Sequence, residues 1–322
     1  QAQTTQAEMA TALLDDPRIT ALGLHVEGVG DLRAWEALAA KARAKGVAIL
    51  ALKSGRSDQA QAAAVSHTAS LSGADAGAEA FMARLGILRL HSLPAFLEAL
   101  KIAHLYGRLP GRRVGSISCS GGEAALAADT GHGVLAFPEL TSPQREALRA
   151  ALGPMVSLAN PLDYHTYIWR DEAAMTRAWA AMADPALDLV IIILDYPRLD
   201  RCDPADWTIA TRAAVAAQRK TGQRYAVVAT LPELLPEHAA EELLAAGVLP
   251  LCGLDHAVEA IAAMGTPEPL VAPPVALPGP DRNAELLTES AAKAALAAHG
   301  VRVPSGAVAT LDTAADVAAK MH

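Results

Sequence analysis

Short apolar runs of strand length alternate with stretches of helical spacing along most of this chain, and that alternation limits the fold more than any single residue does. Ile19 to Val26 is apolar, Leu32 to Ala44 has helical periodicity, and Val47 to Leu52 is apolar again, which makes a β-α-β unit. A polar, small-residue loop from Lys53 to Gly73 follows, then a helical pattern through Ala78, Phe81, Met82 and Leu85. A short strand at Ile87–Leu88 leads to a helix opened by Ser92, with Pro94 just inside. Turn chemistry at Gly107-Arg108-Leu109-Pro110-Gly111 marks a boundary. The alternation then restarts. It predicts a strand at Val114–Ser118, a helix from about Gly122, a strand near Val134, and helices over Pro143–Leu152 and Glu172–Met182. A strand at Leu187–Leu194, a helix at Trp207–Lys220, a strand at Tyr225–Thr230 and a helix at Asp255–Met264 complete it. Strands separated by helices in this way imply parallel, doubly wound sheets covered on both faces, with ligands at the strands' carboxyl ends.

Prolines at 267, 269, 273, 274, 278 and 280 make the next stretch a semi-rigid extended linker, expected to separate rather than pack. Beyond it come a helix from about Ala284 to Ala298, then Gly300-Val301-Arg302-Val303-Pro304, and a helix opening at Asp312. The 322 residues suffice for about two domains, and 52% hydrophobic against 19% charged residues argues against disorder. A net charge of −8 and 4% aromatic residues offer neither a basic stripe nor a base-stacking platform, so nucleic acid is not an expected partner. The longest apolar run, Leu189 to Leu194, is far short of the roughly 20 residues of a membrane span, so no membrane partner is expected. Cys119, Cys202 and Cys252 are odd in number and lack CxxC spacing, which fits a reducing compartment, the cytoplasm by default. The start, Gln1-Ala2-Gln3-Thr4-Thr5, reads like an internal cut, and the end stops inside an alanine-rich helical pattern. A piece of a longer polypeptide is therefore expected.

Three constellations could carry chemistry. The first is Lys53-Ser54-Gly55-Arg56-Ser57 with Ser66-His67-Thr68-Ala69-Ser70-Leu71-Ser72-Gly73, a loop after a strand that offers hydroxyls, two cations and one imidazole. An imidazole can accept a phosphoryl group when a carboxylate holds its other nitrogen, and Glu27 at a strand end is the candidate. A solvated loop histidine is the bland alternative, and composition leaves it open. The second is Ser116-Ile117-Ser118-Cys119-Ser120-Gly121-Gly122-Glu123, a strand running through two glycines into a helix whose free N–H groups favour an anion. A simple strand-to-helix turn reads equally well, and Cys119 reads as a small packing residue. The third is Asn160-Pro161-Leu162-Asp163-Tyr164-His165, where Asp163 and His165 could face one site, although a structural turn is the reading the residues favour. The remaining histidines show no HxH or HExxH spacing, so no metal site is expected in this segment.

Taken in order, Val26-Glu27-Gly28, the two halves of the His67 loop, Gly86-Ile87-Leu88-Arg89-Leu90-His91-Ser92-Leu93, Ser120-Gly121-Gly122, Ala127-Ala128-Asp129 and Asn160-Pro161-Leu162-Asp163 resemble the NDP-forming acyl-CoA synthetases. The resemblance extends to Glu289 and Lys293 followed by Gly300 to Pro304. That family includes ADP-forming acetate–CoA ligases and is related to succinyl-CoA synthetase.

The resemblance implies an α/β chain with two flavodoxin-like, doubly wound parallel-sheet domains and the start of an ATP-grasp domain. Residues 1–107 would be a succinyl-CoA-ligase-like domain with a phosphohistidine loop, incomplete at its N-terminal end. Residues 112–266 would be the second ligase–CoA domain, 267–283 a Pro-rich linker and 284–322 the beginning of the ATP-grasp domain. It implies that His67 is the phosphorylated residue and that Glu27 orients it. Ser66, Thr68, Ser120, Gly121 and Gly122 would bind phosphate, with Lys53, Arg56, Asn160 and Asp163 supporting the site. The implied reaction turns a carboxylic acid, CoA and ATP into acyl-CoA, ADP and phosphate through an acyl phosphate. ATP/ADP with Mg2+ and CoA would act as substrates, bound mostly outside this segment, in a homo-oligomer. The alternative is an acyl-CoA- or nucleotide-sensing region of a protein lysine acetyltransferase. Ala69 stands where the family usually has Gly, and Cys119 where a small polar residue is common.

Overall fold

The structure, a computed structural model, describes residues 4–57, 59–60, 75–277 and 286–320. Residues up to 274 form one compact unit and residues from 275 a second. The first unit opens with helix α1 (Gln6–Leu13), capped by Thr5, whose Ala7 and Ala10 are buried. The signal for that short helix is the capping-box spacing of Thr5 and Glu8, which the sequence reading passed over. Strand β1 (Ala21–Val26), helix α2 (Leu32–Lys45), strand β2 (Ala48–Lys53), helix α3 (Asp75–Leu85) and strand β3 (Leu88–Leu90) follow. Asp31 caps α2 by accepting the Arg33 N–H at 2.8 Å, and Gly46 ends it at φ 67°, a left-handed turn that glycine takes without penalty. β1, β2 and β3 lie in that order in one parallel sheet.

Helix α4 (Leu93–Tyr106) begins where Ser92 accepts the Ala95 N–H at 3.2 Å, with Pro94 in its first turn, as the sequence predicts. Strand β4 (Val114–Ser118), helix α5 (Gly121–Gly131), helix α6 (Ser142–Leu152), strand β5 (Leu162–Asp163) and helix α7 (Glu172–Ala181) come next. Strand β6 (Leu189–Ile193), helix α8 (Ala205–Thr221), strand β7 (Tyr225–Ala229), helix α9 (Glu237–Ala245), strand β8 (Leu249–Cys252) and helix α10 (Leu254–Met264) complete the unit. The second sheet is parallel in the order β5-β4-β6-β7-β8, which is the flavodoxin-like order 2-1-3-4-5 within that sheet. Its central strands are buried on both faces, which is why β6 reads Leu-Val-Ile-Ile-Ile without alternation.

Three expectations are corrected. The strand near Val134 reduces to an isolated parallel bridge between Arg113 and Ala136. The segment read as a turn at Leu162–Asp163 pairs with Ile117 and Ser118 as β5. Residues 266–274 also pack rather than merely separate. Arg43 reaches Glu268 at 3.1 Å, Arg84 donates to the Pro273 carbonyl at 2.5 Å, and Arg108 donates to the Thr266 carbonyl at 3.2 Å.

The apolar core has three parts. Trp35, Leu38 and Met82 join Leu22, Leu24 and Val26 on one face of the first sheet. On the far face of the second sheet, Trp179, Met175 and Leu148 pack against Ile117 and Ile192. Between the sheets lie α4 and α10, and there Phe96, Ala99, Ile102, Val258 and Ile261 share one core with Leu50, Leu88, Leu189, Ile191, Val228 and Leu251.

α4 also fixes the polarity of the two sheets. Its last turns meet their amino ends, through His104 with Thr20 ahead of β1 at 2.7 Å and Tyr106 with Tyr225 at the start of β7 at 2.9 Å. Nearer its start, Glu98 accepts the N–H of Cys252, at the carboxyl end of β8, at 3.0 Å. Both sheets therefore point their carboxyl ends toward the same pole.

The second unit contains helix α11 (Glu289–Ala298), capped by Thr288, and helix α12 (Ala314–Ala319). Glu289 and Lys293 pair at 2.7 Å along α11, and none of the unit's described residues is buried. Among the described residues, no helix is long and apolar enough to cross a membrane.

Candidate functional site

At the carboxyl edge of the first sheet, Val26 of β1 and Lys53 of β2 are register partners, so Glu27 and Ser54 leave the sheet side by side. The Ser54 N–H donates to the Val26 carbonyl at 3.0 Å. Glu27 and Arg56 are exposed, whereas Lys53 is 4% exposed and donates through Nζ to the Ser54 carbonyl. Burial pushes the Lys53 ammonium below its ordinary value. Asp75 and Glu27 oppose that shift and Arg89 adds to it. Arg89, buried on β3, pairs with Asp75 at 2.6 Å and Glu79 at 2.5 Å, both on α3. The strand edge thus carries an ionic cluster, centred on the buried Arg89 side chain, that ties α3 to the sheet. His67, Ser66 and Thr68 lie outside the described residues, as does Ala69.

At the carboxyl edge of the second sheet the strand order reverses around β4, the switch point where ligands of such sheets bind. Ser120 caps α5, its Oγ accepting the Gly122 N–H at 3.2 Å, and the Ser118 hydroxyl donates to the Ser120 carbonyl at 3.1 Å. Gly121 and Gly122 are exposed and open the helix, leaving backbone N–H groups at its positive end. Asp163 is the register partner of Ser118, and its Oδ2 lies 3.3 Å from where a Cβ on Gly121 would stand. The sequence placed Ser120, Gly121, Gly122 and Asp163 in separate motifs, and the fold brings them to one edge.

Asn160 has a different task from the one expected of it. Its Oδ1 accepts the Ser116 N–H at 3.0 Å, and its Nδ2 donates to the carbonyls of Val114 at 2.9 Å and Pro138 at 3.0 Å. Both amide hydrogens are taken, so Asn160 clasps β4 from within rather than facing a ligand.

One carboxylate at this edge, Asp195, escaped the sequence reading, and a second, Glu123, stood in it without a role. Asp195, the first polar residue after the Leu189–Leu194 run, accepts both the N–H and the hydroxyl of Thr230 at 2.6 Å. Its position just past a fully buried strand is the signal that could have found it. Glu123, in the first turn of α5, has its carboxyl pushed up by burial and by the nearby charges of Asp195 and Asp163. Burial and the Glu123 carboxylate, 3.9 Å from Sγ, also push the Cys119 thiol up to about 11, which makes it a packing group rather than a nucleophile. Among the described residues, no group of three or more His, Cys, Asp and Glu could hold a metal ion.

Residues 1–103 match the family model of the succinyl-CoA ligase like flavodoxin domain. The chain is 31% identical over 203 residues to the alpha subunit of the ADP-forming acetate–CoA ligase II of Pyrococcus furiosus, covering 62% of this chain and 43% of that subunit. It is 33% identical over 162 residues to the ADP-forming acetate–CoA ligase of Methanocaldococcus jannaschii, covering 49% and 22%. A trans-feruloyl-CoA synthase of an unknown prokaryotic organism is 31% identical over 152 residues, covering 47% and 22%. The chain thus spans less than half the length of these relatives. Among solved structures, the dinucleotide-forming acetyl-coenzyme A synthetase 1 of Ca. Korarchaeum cryptofilum superposes with a TM-score of 0.66. That match has 20% identity and covers 82% of this chain and 56% of the other, a likeness of fold.

Proposed function

Because the chain belongs to the family of NDP-forming acyl-CoA synthetases, relatives of succinyl-CoA synthetase, we propose that it provides the phosphoryl-carrying part of an ADP-forming acid–CoA ligase. ATP, delivered as its Mg2+ complex, gives its γ-phosphoryl group to an imidazole nitrogen of His67 and leaves as ADP. An oxygen of the acid's carboxylate then takes the phosphoryl group as the P–N bond breaks, forming an acyl phosphate. The CoA sulfur, as thiolate, attacks the acyl carbon, and phosphate leaves. Splitting the transfer over a carrier lets each step proceed where water is excluded.

In this reading Glu27 holds the imidazole's other nitrogen, and Lys53 and Arg56 support the loop. Ser66 and Thr68 contact the phosphoryl group from the loop, and the Gly121 N–H, with Gly122 closed onto the Ser120 cap, receives it on the other side. The carrying observation is that Glu27 and the Ser120-Gly121-Gly122 turn end parallel strands of two sheets that share one polarity. The relatives' names favour a ligase over an acyl-CoA-sensing region. Partners in this reading are the acid, CoA, ATP, phosphate and a second copy of the chain, in the cytoplasm.

The test is the assembled ligase with γ-labelled ATP. An acid-labile, base-stable phosphoryl label is expected on the wild-type chain and not on His67→Ala. An unlabelled wild-type chain, or a label that persists in the variant, rejects the reading.

A further inference from the structure

Asp75 opens α3 and is the first described residue after the segment that carries His67. From β3, Arg89 meets it with a side chain only 3% exposed. The guanidinium reaches Asp75 Oδ1 at 2.6 Å and Glu79 Oε2, one turn further along α3, at 2.5 Å. Its Nε is buried without a hydrogen-bond partner among the described residues. The Arg89 hydrogen bond, with the charges of Arg89, Lys53 and Arg56, holds the Asp75 carboxyl below its ordinary value against the opposing effect of burial. Lys53 and Arg56 stand before the His67 segment and Asp75 stands after it. One carboxylate therefore gathers both ends of that segment at the carboxyl edge of the first sheet.

We propose that Arg89 and Asp75 are positioning residues for the phosphoryl transfer, their ion pair fixing the point at which the segment carrying His67 rejoins the fold. The proposal rests on the phosphoryl-carrying reading above. Place is the first argument for it. A transfer needs its groups held in a reacting geometry, and a chain pinned at Asp75 can take His67, eight residues upstream, no more than about 28 Å from that pin. The charges of Asp75 and Glu27 both act on the Lys53 ammonium, so the pin and the orienting carboxylate sit at one strand end. The nature of the fastening is the second argument. Ala78 and Met82 already bury the core face of α3, and an apolar side chain at 89 would hold the helix with no charge to desolvate. A buried arginine with one donor unpaired is the dearer fastening, and what it adds is a fixed direction, through two forked bonds to the end of α3 next to the His67 segment.

The assembled ligase with γ-labelled ATP tests the proposal, through the first-order rate constant of His67 labelling and the KM for ATP together. Asp75→Asn and Arg89→Met are each expected to slow labelling about tenfold at saturating ATP while the KM for ATP stays unchanged. A pair that only staples a helix would instead lower the labelled fraction, because fewer chains fold, and leave the rate constant of the folded ones as it was. Wild-type rate constants in both variants overturn the proposal and leave the His67 reading standing, and so does a raised KM with an unchanged saturating rate. An unlabelled wild-type chain removes that reading and the proposal with it.

Discussion

The Tyr106 hydroxyl, at the end of the helix between the sheets, has its single hydrogen within reach of two carbonyls, Tyr225 at 2.9 Å and Gly247 at 2.8 Å, and accepts the Tyr225 N–H at 3.2 Å. One oxygen thus serves three backbone groups at the amino edge of the second sheet. Tyr106→Phe removes these contacts and is expected to cost about 1 kcal/mol in urea unfolding. Burial pushes the Tyr106 hydroxyl up to about 12, so its contribution persists through neutral pH and is lost as pH rises through that value.

Asp188, 2% exposed, receives the Arg113 backbone N–H at 2.8 Å, Nε at 3.1 Å and Nη2 at 2.9 Å. Burial alone would raise its carboxyl, yet the Arg113 hydrogen bonds and charge hold it below the ordinary value of 3.8. The pair's stabilisation is therefore present above about pH 4 and lost as pH falls through the folded value. Asp188→Asn is expected to cost about 1–2 kcal/mol at pH 7, the scale of charge-assisted hydrogen bonds lost beside an exposed partner, and to flatten the acid limb of a stability–pH curve. An unchanged acid limb would assign that limb to other carboxylates.

Glu123 shifts the other way. Because burial and two neighbouring carboxylates raise its folded value, its contribution is favourable at low pH and lost as pH rises through that value. Glu123→Gln should raise the unfolding midpoint at pH 7 and lose that advantage near pH 4, as thermal scans at both pH values would show.

Gly265 ends α10 against the turn before β4. A Cβ there would stand 2.4 Å from the Gly111 carbonyl oxygen, a backbone atom that cannot swing aside. Gly265→Ala is expected to destabilise by about 1–3 kcal/mol, measured by chemical unfolding.

Glu27 is exposed at the end of β1 and makes none of the described core contacts. Glu27→Gln should leave the unfolding midpoint unchanged while the rate of His67 labelling falls roughly ten- to a hundredfold, the scale at which a carboxylate orienting an imidazole acts. Equal labelling rates would remove Glu27 from the proposed site.

The fold was legible where pattern and punctuation agreed. β4 falls where the apolar run Val114–Ser118 put it, and α4 starts at its Ser cap and Pro. The sequence was opaque where tertiary pairing overrode local signals. Leu162–Asp163 looks like a turn beside Asn160-Pro161, and becomes a strand because β4 offers it hydrogen bonds. β8 contains Pro250, an argument against a strand except at a sheet edge, which is where β8 lies. In the candidate site, Glu27, Ser120, Gly121, Gly122 and Asp163 could be named from motifs. Asp195 and Asp75 stand in no motif, and Glu123 and Arg89 stand in motifs that say nothing of their roles, because those roles arise from neighbours distant in sequence.

The core shared through α4 and α10 has a mechanical consequence. Phe96 and Ile102 pack against strands of both sheets at once, so a hinge between the sheets would open that core to water. The Glu27 edge and the Gly121 edge are carried as one rigid block. Any ligand that spans both edges therefore meets them at a fixed spacing, a clamp whose jaws are set by the apolar core rather than by the ligand.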